Sequence, residues 1–118
     1  MSIRPLFAAM AVLALAGCAT DPAPVEQMRL TEQAIIQAKA VGATADEVPE
    51  MKLAETKYNR AKGNMVDESY RNARMRSEQA ELDARLAEAK VLTQKSEEQL
   101  NVLNTRIVRL RKQLGDAQ

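Results

Sequence analysis

The chain has 118 residues, with 17 basic side chains against 16 acidic ones, no histidine, no tryptophan and one cysteine. A balance this near neutral gives no overall electrostatic case for nucleic acid, and without histidine or spare thiols the common catalytic triads and zinc sites are excluded. Few aromatics (3%) beside 28% charged residues fit helices better than a bulky globular core.

Met1 to Arg4 is a short positive stretch, Pro5 to Ala16 is apolar, and Leu15-Ala16-Gly17-Cys18 closes it. So short an apolar run is a signal-peptide core, because a spanning helix needs roughly 20 apolar residues. The four closing residues resemble, at every position, the lipobox of bacterial lipoproteins. That resemblance implies transfer of a diacylglyceryl group to the Cys18 thiol, cleavage between Gly17 and Cys18, and acylation of the new amine. A thiol suits this step because it is nucleophilic near neutral pH. Two or three acyl chains, at about 0.8 kcal/mol per buried CH₂, hold a protein to a bilayer where one chain binds only reversibly. Ala19, not an aspartate, follows the cysteine. By the enterobacterial sorting pattern, that points to the periplasmic side of the cell outer membrane. Removing residues 1–17 takes Arg4 away and leaves 16 basic against 16 acidic residues. Covalent diacylglycerol and acyl lipid on Cys18 is the only added group expected, with no metal and no other cofactor.

Residues 18–24 form the lipidated linker, stiffened at Asp21-Pro22-Ala23-Pro24 because each proline fixes φ and disfavours helix before it. Residues 25–118 form one α-helical periplasmic domain. A first helix is predicted over 25–41, with Leu30, Ala34, Ala38 and Val41 on one face and Met28 and Ile35 beside it. Gly42 to Pro49 breaks the pattern, and Pro49 suits the first turn of a second helix over 49–64. Its seam, Met51, Ala54, Tyr58, Ala61 and Met65, steps by three and four. Gly63-Asn64 reads as the turn, Asp67 as the next N-cap, and Tyr58 and Tyr70 as partners across the hairpin.

The third helix is predicted over 68–114, with Gly115 as its stop. It carries two opposed stripes. One is small: Tyr70, Ala73, Ser77, Ala80, Ala84, Ala87 and Val91. The other is Leu82, Leu86, Ala89, Thr93, Ser96, Leu100, Leu103, Ile107, Leu110 and Leu114. A small-residue face lets another helix approach closely, and a leucine heptad face wants a coiled-coil partner. The expected fold is therefore all-α: a helical hairpin with a short first helix alongside and a long C-terminal coiled-coil helix.

Pro49-Glu50, the spaced alanines, Asp67-Glu68-Ser69-Tyr70 and the alanine-rich run to Ala89 resemble a bacterial family of short helical lipoproteins. That family bears a periplasmic domain of unknown function, found in some members ahead of an OmpA-like domain. No OmpA-like domain is expected in this chain, so its peptidoglycan site is not carried over, and the family implies no catalytic residue. A weaker likeness to the small murein lipoprotein lacks the terminal lysine of its wall linkage, since the chain ends Asp116-Ala117-Gln118.

Function follows from the unpaired stripe. A second helix of about 16 residues cannot reach Leu100, Leu103, Ile107, Leu110 and Leu114, so these should bind a second copy or a partner helix. The expected role is structural or adaptor, not enzymatic. Carboxylates such as Glu97-Glu98, or Glu78 with Glu81, lie on a solvated helix without the burial that would separate their pKa values. The alternative is a non-covalent peptidoglycan-binding module using Arg106, Arg109, Arg111 and Lys112 at the basic tip. Cations also suit a helix C-terminus on electrostatic grounds alone.

Overall fold

In a computed structural model, which describes residues 21–117, the chain is a three-helix assembly without strands among those residues. The helices are α1 (Val25–Ala40), α2 (Pro49–Val66) and α3 (Tyr70–Asp116). α3 has 47 residues and so runs about 70 Å. α2 and α3 form an antiparallel hairpin. Its register is marked by Lys57 and Asp83, 2.6 Å apart, and by the Lys90–Glu50 ion pair. α1 runs alongside in the direction of α3, with Leu30 near Arg74 and Glu78 at one end and Gly42 against Lys95 at the other. A 2.6 Å ion pair between Lys39 and Glu55 ties α1 to α2.

The core is built mostly of alanine. Ala73, Ser77, Ala80, Ala84 and Ala87 of α3 are buried against Met51, Ala54 and Ala61 of α2 and Thr31, Ala34, Ile35 and Ala38 of α1. Small side chains let the helix axes approach closely, so dispersion contacts come from backbone as much as from side chains. The buried stripe of α3 is the one its spacing predicts. Near its start lies a polar layer of which the pattern marked Ser77 but not Thr31. The Thr31 hydroxyl is 2.7 Å from that of Ser77 and lies 2.9 Å from the Gln27 carbonyl.

Both turns close their helices in the same way. α1 ends with Gly42 at φ +101°, whose N–H donates to the Lys39 carbonyl while Ala43 N–H donates to that of Ala38, both at 2.9 Å. Lys95 Nζ then donates to the Val41 carbonyl at 2.6 Å, a cation at the negative end of the helix. A Cβ at Gly42 would meet Lys95 Nζ at an ordinary 3.6 Å, so the backbone angle, not crowding, demands glycine. Gly42→Ala should therefore cost about 1–2 kcal/mol in thermal or urea unfolding. A neutral result would mean that the turn relaxes out of the left-handed region.

The hairpin turn lies later than its residues suggest. Gly63 and Asn64 stay helical, α2 runs to Val66, and Asp67 closes α2 instead of opening α3. The left-handed position falls on Glu68 (φ 55°), with Ser69 N–H donating to the Asn64 carbonyl at 2.8 Å. α3 starts at Tyr70, and Gly115 lies inside its last turn. The shift also corrects the tyrosine pairing. In the register of the Lys57–Asp83 pair, Tyr58 lies about 18 Å along the hairpin from Tyr70. Tyr58 packs on the alanine core with Lys62 over its ring, while Tyr70 shares a hollow with Asp21. Burial and the nearby Glu32 carboxylate push the Tyr58 phenol above its ordinary pKa.

Candidate functional site

The three-helix packing ends near Val91. Every described residue from Leu92 to Ala117 is exposed, although nearly all of this stretch is regular helix. A lone helix in water gains nothing from tertiary packing, which supplies most helical stability in proteins. The five seam residues stand here with relative exposures of 59% (Leu100), 51% (Leu103), 45% (Ile107), 57% (Leu110) and 71% (Leu114). At about 100° per residue they fall within a stripe roughly 80° wide, centred away from the alanine face. Leu82 and Leu86 continue the stripe along the back of the hairpin and are exposed too.

Arg106, Arg109, Arg111 and Lys112 are all exposed and form no ion pair among the described residues. They do not share a face. Arg106 and Arg111 flank the leucine stripe on opposite sides, about 80° and about 60° from its centre, whereas Arg109 and Lys112 lie around the back. The tip is thus ringed by charge and offers no flat basic surface. Val102 and Val108 were missed by the sequence reading and are 50% and 65% exposed. Val102 had a legible signal, because it continues the small stripe from Val91 at steps of four, three and four.

Ionised side chains elsewhere hold the bundle. Arg85 and the Gln27 amide keep the Glu81 carboxyl below the ordinary carboxylate range. Lys90 and a backbone N–H at the start of α2 do the same for Glu50. The Gln27–Glu81 and Lys90–Glu50 contacts are helix-to-helix ties. No group of metal-ligating side chains occurs among the described residues. No helix of the described residues is long and apolar enough to cross a membrane. Gly17 and Cys18, the expected cleavage and lipidation residues, lie outside the described residues.

A family profile described as a domain of unknown function, DUF4398, matches residues 26–103, well over half of the chain. The chain belongs to the DUF4398 family. A comparison with curated proteins finds no match. The crystal structure of a DUF4398 family protein from Pseudomonas aeruginosa PAO1 is similar at 65% identity, with a TM-score of 0.79, over 82% of this chain and all of that one. The DUF4398 match takes in the whole bundle and the first two seam leucines. Ile107, Leu110, Leu114 and the four tip cations lie beyond it.

Proposed function

We propose that this chain is a lipid-anchored lipoprotein on the periplasmic side of the outer membrane, with a structural or adaptor role exerted through helix–helix association. The observation that carries the reading is the aligned, exposed seam of Leu100, Leu103, Ile107, Leu110 and Leu114 on a helix that has left its bundle. Burying each large apolar side chain is worth about 1.5–3 kcal/mol, so five in one stripe provide a strong drive to pair. The lipobox Leu15 to Cys18 supports the anchor. Asp21 shares a hollow with Glu68, Ser69, Tyr70 and Arg71, at the turn end of the hairpin. An anchor three residues before Asp21 would hold that end of the hairpin at the membrane, with the tip of α3 at the opposite end of the rod.

Two measurements test this. Radiolabelled palmitate should enter the protein and be lost in Cys18→Ser, together with retention in the membrane fraction. A labelled serine variant would end the anchor reading. Sedimentation of the mature protein in density-matched detergent should show association that Leu103→Asp weakens by roughly tenfold or more, since one buried leucine is replaced at each of two facing positions. A monomer at high concentration, unchanged by Leu103→Asp, would end the association reading.

A further inference from the structure

The flanks of the leucine seam contain information about what lies across it. Heptad spacing from Leu100 to Leu114 suits a two-stranded coiled coil, in which residues beside the seam set partner and orientation. On one flank stand Glu97, Asn104 and Arg111, and on the other Gln99, Arg106 and Gln113. We propose that the exposed end of α3 pairs with a second copy of this chain, antiparallel, setting Glu97 of each copy against the partner's Arg111. The inference rests on the association reading above and adds the identity and direction of the partner.

A parallel pair is opposed by its charges. There each flank residue faces the opposite flank five positions on, so Arg106 would meet the partner's Arg111 twice. The tip as a whole, residues 106–116, carries four cations and one carboxylate, and parallel pairing lays two such tips side by side. Reversal removes this. Leu100 then packs against the partner's Leu110 and Leu103 against the partner's Ile107, which pairs four of the five seam residues of each copy, while Leu114 falls opposite the partner's Ser96. The same register brings Glu97 to the partner's Arg111 twice, and Asn104 to the partner's Asn104. One unfavourable contact remains, Arg106 beside the partner's Arg106 at the two-fold axis. Each basic tip now lies along residues 94–104, where Lys95, Glu97 and Glu98 leave a net negative charge. The two copies of α3 would span roughly 110 Å with their hairpin ends outward. Two anchors in one leaflet would then lie far apart, the rods lying along the membrane surface.

Charge reversal distinguishes the orientations by sign. In the mature protein in density-matched detergent, Arg111→Glu should weaken the dimer roughly five- to tenfold, by setting two carboxylates against each other at two places. Adding Glu97→Lys to it should restore most of the loss. In a parallel pair Arg111→Glu would instead tighten the dimer, because Arg106 would gain an opposite charge. Cysteine pairing gives an independent check. Leu103→Cys mixed with Ile107→Cys should form a mixed disulfide, while neither forms a dimeric disulfide alone. A tighter Arg111→Glu dimer, a Leu103→Cys homodisulfide, or a dimer indifferent to both charge changes would overturn the antiparallel arrangement and leave association standing. A wild-type monomer would overturn both and give the seam to a different protein.

Discussion

Ala84→Leu should destabilise the bundle by about 2–3 kcal/mol, lowering its melting temperature by roughly 10–20 °C for a domain of this size. Ala84 is fully buried, in one cluster with Met51, Ala54, Ala87, Ile35 and Ala38. Three added carbons at the close approach of three helices have no void to enter, so the helix axes must part along several turns. Separation would also loosen the contacts of Ala80 and Ala87, one turn to either side. The control lies two residues away. Leu82 is 68% exposed on the opposite face of the same helix, and Leu82→Ala should change monomer stability by no more than about 0.5 kcal/mol. Circular dichroism melts of both variants measure the contrast. Equal effects, or a harmless Ala84→Leu, would mean that the small stripe is not where the helices touch.

That contrast between faces was legible in the sequence because helical periodicity is a long-range signal. Six small residues at steps of three and four over α3, from Ala73 to Val91, point one way, and the leucines point the other. The turns were harder to place, for a local reason. Gly63 invites a turn, yet an isolated glycine is tolerated in a helix, and the left-handed position is taken by Glu68, a residue type that gives no such signal. A misplaced turn slides the register of everything across it, which is why Tyr58 and Tyr70 were paired wrongly. The direction of α1 was not legible either, since its fixing contacts, Lys95 to the Val41 carbonyl and Lys39 to Glu55, join residues far apart in sequence. The exposure of the leucine stripe was legible, because exposure beyond a short hairpin follows from helix lengths alone.

Thr31 was missed because a hydroxyl on a core face reads as a solvent position, and the layer it forms leads to an unequal pair of mutants. Thr31→Val should cost about 1–2 kcal/mol, whereas Ser77→Ala should cost under about 1 kcal/mol, although both remove one side of a 2.7 Å hydrogen bond. The asymmetry comes from what each change leaves behind. Without the Ser77 hydroxyl, Thr31 still has the Gln27 carbonyl at 2.9 Å and the residue 77 carbonyl at 3.0 Å, and the alanine simply extends the small stripe. Without the Thr31 hydroxyl, Ser77 keeps only a longer 3.3 Å bond to the Gln27 carbonyl, inside a site from which water is excluded. Valine fills the space of threonine, so the loss is polar, not a cavity. The double variant should then be no less stable than Thr31→Val alone, because the orphaned hydroxyl is gone. Urea unfolding of the four proteins forms a double-mutant cycle for this layer. Strictly additive losses would show that the two hydroxyls act independently, and that the buried polar layer contributes no coupling between α1 and α3.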